Sequence, residues 1–316
     1  MPPLYRGPII DPHHHLWDIA LGRHPRLALR QGEQPPGDAL DLRRDYLVED
    51  YVADAAGQGI VATVHVEAAW LAEDCLGETR WLETLSKQHG VASRYVAHVP
   101  LAHPAAADLI AAQASFPRVV GIRDILSWHR DPALTFAARR DVMDDPDWRR
   151  GLAVLARHDL VFDLMIFANQ LDDANRLVRD FPDQPFVLNH CGSPIDQSSE
   201  GIAAWRKGIA ALGAAENVAI KISALTGYVP DWTEERLRMP IRHCIDAFGP
   251  ERTMFASDFP VTRLHATFAE TYDIYRSIAA TYSPDEQISL FHGTAARIYR
   301  IKEPVTLLGD ARIQSH

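Results

Sequence analysis

The chain has 316 residues, 47% of them hydrophobic and 23% charged, the mixture of a globular protein with a large core and not of a disordered or fibrous one. With 32 basic and 42 acidic side chains the net charge is −10, a sign that repels phosphate backbones and anionic lipid and argues against nucleic-acid and membrane partners. Cys75, Cys191 and Cys244 form neither an even set nor a CxxC pair, so no disulfide framework or cysteine zinc knuckle is expected, and a reducing cytoplasm suits them.

The amino terminus, Met-Pro-Pro-Leu-Tyr-Arg-Gly-Pro, lacks the apolar core of a signal peptide, and no apolar run approaches the ~20 residues of a membrane span. Short apolar runs then alternate with helical patterns along the chain. The first run, Ile9–Trp17, carries Asp11, His13, His14, His15 and Trp17. A strand period of two sends Asp11, His13, His15 and Trp17 to one face and His14 to the other. Residues 18–45, rich in Pro and Gly, make a long polar connection, after which Leu47, Val48, Tyr51, Val52 and Ala55 mark the buried stripe of a helix. Further runs follow at Ile60–Glu67, Arg94–Leu101 and Val119–Leu126, the last holding Arg123 and Asp124. A second long connection, 127–145, contains Arg130, Arg139 and Arg140. Asp145-Pro146 then starts a helix whose buried side is Trp148, Leu152, Leu155 and Ala156. The remaining runs are Leu160–Phe167, Pro185–His190, Asn217–Ser223 and Arg252–Asp258. Before the last of them, Ile241, Cys244, Ile245 and Phe248 form a helical stripe closed by Gly249. Ser283-Pro284-Asp285-Glu286 has the form of a capping box and predicts a helix that packs the tail against the rest.

Eight buried strands alternating with helices predict an α/β fold: one (β/α)8 TIM barrel spanning residues 1–316, with long loops after the first and fourth strands. A doubly wound sheet more often stops at fewer strands, and neither Gly-x-Gly-x-x-Gly nor Gly-x4-Gly-Lys-Ser/Thr is present to hold a nucleotide. In a barrel the eighth strand lies beside the first, so Asp258 is expected near His13 and His15, with His190 at the end of the sixth strand. Residues two apart on a strand are ~6.6 Å apart at the backbone, close enough for two imidazoles to converge on one ion or one substrate oxygen. Glu67, Arg123, Asp124, Lys221 and Ser223 gather at the same rim, where Glu67, Arg123 and Lys221 would bind substrate; a structural ion pair is the equal alternative for these positions. Trp17, Trp70 and Trp128 are candidate pocket walls, and the two long loops candidate covers.

In order along the chain, Asp11-x-His13-x-His15-x-Trp17, Gly121-Ile122-Arg123, Asn189-His190-Cys191-Gly192, Lys221-Ile222-Ser223, Phe255-Ala256-Ser257-Asp258-Phe259-Pro260 and Gly293-Thr294-Ala295-Ala296-Arg297-Ile298-Tyr299 resemble the amidohydrolase superfamily. The resemblance is to the branch of 2-pyrone-4,6-dicarboxylate lactonase and the sugar-acid lactonases for rhamnonate and fuconate. Asn189 stands where that branch more commonly has Asp, and Ala224 and Ala256 where it often has Gly. The resemblance implies catalytic roles for His13, His15, His190 and Asp258. Many two-metal relatives add a Lys or Glu from strand four and a His from strand five, which this chain lacks. It therefore implies at most one divalent cation, zinc first, held by His13, His15 and Asp258, and leaves metal-independent chemistry open. The implied reaction is hydrolysis of a lactone by water activated at Asp258, with the carbonyl polarised by histidine or metal. Metal-dependent decarboxylation of an aromatic or unsaturated acid is the alternative on the same barrel, and a non-catalytic small-molecule binder is a third reading. In each case the partner is a small molecule; the residue pattern carries no signal of oligomeric state.

Overall fold

A computed structural model describes residues 4–25, 27, 42–87 and 89–302. Eight strands, β1 (Ile9–His14), β2 (Ile60–Val66), β3 (Arg94–His98), β4 (Val119–Arg123), β5 (Val161–Leu164), β6 (Phe186–Leu188), β7 (Val218–Ile222) and β8 (Thr253–Phe255), lie in one sheet in that order. Every neighbouring pair from β1/β2 to β7/β8 is parallel. The ring closes just beyond β8, where His14 bridges Phe259, the Asp258 N–H donates to the His13 carbonyl at 2.8 Å and the His15 N–H donates to the Phe259 carbonyl at 2.8 Å. This is the (β/α)8 barrel that the alternation of runs predicts.

Helices follow the strands: α1 (Val48–Asp54), α2 (Cys75–Thr84), α3 (Ala106–Ala114), α4 (Pro146–Leu155), α5 (Leu171–Asp180), α6 (Ser199–Gly213), the short α7 (Leu225–Tyr228), α8 (Glu234–Phe248), α9 (Phe268–Ala279), α10 (Pro284–Ile288) and α11 (Thr294–Ile298). Their ends obey local chemistry. The Asp145 carboxylate accepts from the N–H groups of Asp147 and Trp148 at the start of α4, and the Ser283/Glu286 capping box starts α10. Val48 and Tyr51 of α1, Trp148, Leu152 and Leu155 of α4, and the whole predicted stripe of α8 are buried. Ala156 is exposed because α4 ends one residue before it.

Strand period two sorts the apolar side chains into two cores. Ile9, Phe162, Leu188, Ile220 and Phe255 pack between sheet and helices, whereas Ile10, Val64, Val96, Val161, Val187 and Met254 cluster with Tyr299 and Ile301, which follow α11 or end it. A Cβ on Gly121 would meet Val161 Cγ2 at 2.6 Å, so glycine lets β4 and β5 come together there. The three cysteines are free and buried, and no described helix is long and apolar enough to cross a membrane.

The ladder shifts register between Ile9 and Ile10 and again between Asp11 and His14, and the second shift breaks the expected facing. On β1, Asp11 pairs with Thr63 and His14 with His65, so three steps along β1 match two along β2. That bulge reverses the facing of the residues after it. Asp11 therefore does not share a face with His13 and His15; it accepts from Tyr51 Oη of α1 at 2.7 Å and from Ser257 N and Oγ at 2.8 and 2.6 Å.

Candidate active site

The inward-facing imidazoles converge on one oxygen. Asp258 Oδ1 lies 3.5 Å from His13 Nε2, 3.4 Å from His15 Nε2 and 3.9 Å from His190 Nε2. His13 and His15 reach it from the end of β1, His190 from just after β6, and Asp258 from just after β8. His190 and Asp258 have left-handed backbones, φ 53° and 56°, a conformation that costs energy in residues with a Cβ and that persists only where the surroundings enforce it. The distal nitrogens are also held: His15 Nδ1 is 2.7 Å from the Val66 carbonyl and His190 Nδ1 is 2.8 Å from Ser223 Oγ. A carbonyl only accepts, so His15 carries a proton on Nδ1 and turns Nε2 toward Asp258. His14 points the other way, with Nε2 2.7 Å from Thr63 Oγ1.

Burial, then the charge of Lys221, holds His13 well below its ordinary 6.5. Burial lowers His190 to about 4 against the opposing pull of Asp258. For Asp258 burial acts upward, but the His190 charge and the His15 hydrogen bond outweigh it and keep the carboxyl below its ordinary 3.8. At neutral pH the cluster is thus an ionised carboxylate facing neutral His13 and His190 rings.

These groups suit a divalent ion. Zinc bonds of about 2.0–2.1 Å at tetrahedral angles set ligand atoms about 3.4 Å apart, and the two Nε2 to Oδ1 separations for His13 and His15 are 3.5 and 3.4 Å. All three residues are buried, their ligand atoms lie within 4.8 Å of one another, and His13 Nε2 has no hydrogen-bond partner. The residues of this chain that would hold the ion are therefore His13, His15 and Asp258.

The remaining rim residues divide. Glu67 and Arg123 form a buried pair: Nε donates to Oε1 at 2.8 Å, Nη2 to the Glu67 carbonyl at 2.6 Å. Burial would raise Glu67, but Arg123 prevails and pulls it down to about 2. Both line a cavity of about 450 Å³ together with His15, Trp17, His190 and Asp258. Lys221 is absent from that lining. It is fully buried on β7, donates to Asp163 Oδ2 at 2.5 Å, and lies 3.4 Å from His13 Nδ1. Asp124 accepts from Trp148 Nε1 at 2.9 Å, and Trp70 stacks on Trp81; neither Asp124, Trp70 nor Trp128 is part of the described cavity wall. Of the two long connections, Leu27 and Leu42 from the first and Phe136 from the second do line it, while residues 28–41 lie outside the described residues. Arg139 and Arg140 instead make ion pairs with Asp145 and Asp173.

Two buried groups were not singled out in the sequence. Asp163 accepts from Lys221, from Asn189 Nδ2 at 2.9 Å and from Tyr299 Oη at 2.9 Å. A lone carboxylate in the apolar run Leu-Val-Phe-Asp-Leu was the available signal, since a buried charge needs partners. Behind β2, the Leu16 N–H donates to His65 Nδ1 at 3.2 Å, which leaves the ring proton on Nε2, 3.1 Å from Glu78 Oε1; the same oxygen accepts the Ala68 N–H at 2.8 Å. The pair ties the chain just after His15 to the chain just after Glu67. Burial, then the charge of Glu67, pushes Glu78 up to about 7.

Comparison with known proteins gives this geometry its family. The model of the family described as amidohydrolase matches residues 10–301. The chain belongs to the amidohydrolase family. This amidohydrolase is 36% identical over 295 residues to the uncharacterised protein y4mH of Sinorhizobium fredii, covering 93% of this chain and 98% of the other. It is 30% identical over 316 residues to an L-fucono-1,5-lactonase of Burkholderia multivorans, covering 96% and 98%. Among solved structures, an amidohydrolase from Burkholderia multivorans with bound zinc is similar at a TM-score of 0.80 and 27% identity, covering 93% of this chain and all of that one. The chain is a hydrolase of the lactonase branch of this family.

Proposed function

We propose that this amidohydrolase opens a lactone ring by hydrolysis, with Asp258 as the base. The observation that carries the reading is the single carboxylate oxygen facing three imidazoles at 3.4–3.9 Å within a cavity. Because the carboxyl of Asp258 is held below its ordinary range, it is ionised at neutral pH and ready to accept a proton. Water at Asp258 gives up that proton as its oxygen bonds to the lactone carbonyl carbon. The oxyanion is met by the Nε2 side of His190, whose other nitrogen is occupied by Ser223, and by Arg123 Nη1, whose present contact is Met165 Sδ at 3.5 Å. Collapse breaks the ring C–O bond, and the proton on Asp258 passes to the departing alkoxide, leaving a hydroxy acid. A divalent ion on His13, His15 and Asp258, when bound, supplies further polarisation of the carbonyl or water. The relative that is an L-fucono-1,5-lactonase supports a lactone as the reacting group, and the zinc in the similar structure supports zinc as the ion. We take the 1–316 chain to act as one domain on a small molecule.

The test is a panel of lactones followed by proton release and, in parallel, carbon dioxide release, on chelator-treated and zinc-supplemented protein. Ring opening with proton release and no carbon dioxide is expected, faster with zinc. Carbon dioxide from an aromatic acid without any lactone hydrolysis overturns the reading in favour of decarboxylation.

A further inference from the structure

The cavity above Asp258 is chemically two-sided. His15, Glu67, Arg123, His190 and Asp258 supply its reactive groups, and carbon-rich side chains, Trp17, Leu27, Leu42, Ile125, Phe136 and Met165, make up much of the rest of the lining. Polar groups also line the cavity at Tyr228, His265 and Thr262, whose Oγ1 has no hydrogen-bond partner, but the carbon-rich face offers few. Trp17 Nε1 donates to the Arg44 carbonyl at 2.8 Å, so its indole turns only ring carbon to the cavity as a wall. Arg123 spends Nε and Nη2 on Glu67. The Arg123–Glu67 ion pair at 2.8 Å leaves Nη1, against Met165 Sδ, as the part of the guanidinium not engaged with Glu67.

A ring hydroxyl of a sugar lactone laid against the carbon of Trp17, Ile125, Phe136 or Met165 loses water and finds no partner among those described side chains, at a cost of about 1–3 kcal/mol. A carboxylate laid against the same carbon loses water without gaining a partner there and costs more. Alkyl or aryl groups gain about 25 cal/mol for each Å² they bury. The cavity, about 450 Å³, is within the ordinary size of small-molecule sites, roughly 300–1,000 Å³, and has room for a substituent beyond the lactone ring.

We infer that the substrate is an uncharged lactone bearing an alkyl or aryl group, which seats that group against Trp17, Ile125, Phe136 and Met165. The inference rests on the lactonase reading for the reaction and on the wall chemistry for the substituent, and the two separate experimentally. The kcat/KM of the zinc-supplemented enzyme is measured for dihydrocoumarin and a 6-alkyl δ-lactone against a sugar-acid 1,5-lactone and a pyrone dicarboxylate. Alongside, binding of an unreactive 6-alkyl δ-lactam is compared with that of its polyhydroxylated counterpart by titration calorimetry. The apolar lactones should exceed both polar ones by about 100-fold or more in kcat/KM, and the alkyl lactam should be the one that binds. Phe136→Asn should reduce the alkyl preference by about 10-fold while the enzyme stays folded. Hydrolysis that favours the sugar lactone or the dicarboxylate overturns the inference and leaves the lactonase reading intact. Lactam binding without turnover of any lactone supports the wall chemistry and overturns the reaction. A polyhydroxylated lactam that binds as well as the alkyl one overturns the inference whatever the kinetics.

Discussion

Two clusters of buried ionisable groups lie inside the barrel, joined through His13, and they are bonded to opposite degrees. In the lower one Lys221 meets Asp163 at 2.5 Å, and Asn189 and Tyr299 complete the carboxylate's hydrogen bonds at 2.9 Å each. In the upper one Asp258 faces three imidazoles at 3.4–3.9 Å, and His13 Nε2 lacks a hydrogen-bond partner. The residues differ in backbone too: Asp163 and Lys221 lie within strands, whereas His190, Ala224 and Asp258 have φ of 53°, 58° and 56°. The Asp163 carboxylate, whose hydrogen bonds are filled although Asn189 Oδ1 beside it has no partner, resists change and specifies the core. Groups held short of ideal contact on strained backbone keep capacity for water, an ion or a substrate.

The sharpest way to break this contrast is to remove one charged group from each cluster. Asp258→Asn should lower kcat for the best lactone by about 10³-fold or more with near-wild-type urea unfolding, because it removes the base and leaves volume and packing; near-normal turnover would deny Asp258 its role. Lys221→Met should do the reverse in thermodynamic terms. It strands Asp163 in the interior and should cost about 3–5 kcal/mol in urea unfolding, with Lys221→Met/Asp163→Leu recovering part of the loss. An unfolding midpoint unchanged by Lys221→Met would show the lower cluster is not structural.

Glu78 lies between these extremes, paired with His65 yet raised from its ordinary 4.5 to about 7. The folded state retains a proton that the unfolded chain releases, so stability should fall as pH rises from about 4.5 to about 7 and level off above, by up to about 3 kcal/mol from this group. Subtracting the unfolding free energies of Glu78→Gln from wild type across that range isolates the slope; a flat difference would deny the raised value. The smallest effect is expected at Ala224, which sits at φ 58° on the cavity wall. Ala224→Gly relieves a left-handed alanine and should stabilise by about 0.5–1 kcal/mol in the same assay, whereas destabilisation would show that its methyl group packs usefully.

Much of the barrel was legible because its strands are continuous apolar runs, and because ring closure is a topological necessity once eight are counted. Asp258 could be placed beside His13 and His15 on that ground, whereas His190 joined them through the family resemblance. Asp11 could not be placed, since alternation holds only while the ladder is regular, and the bulge between Asp11 and His14 depends on how β2 pairs with β1. Nor could Lys221 be divided from Arg123: both are cations on inward-facing strand positions, and the difference lies in which carboxylate each one meets.

Residue order and hydrophobic period, then, determined the eightfold alternation and the strand-end positions of the histidines and of Asp258, because these follow from local geometry repeated along the chain. Tertiary structure alone decided which charges cancel, which imidazole nitrogens stay open and which walls of the cavity are carbon. Those properties depend on contacts between residues as far apart as His13 and Asp258, and no local pattern encodes the distance between two side chains from different strands.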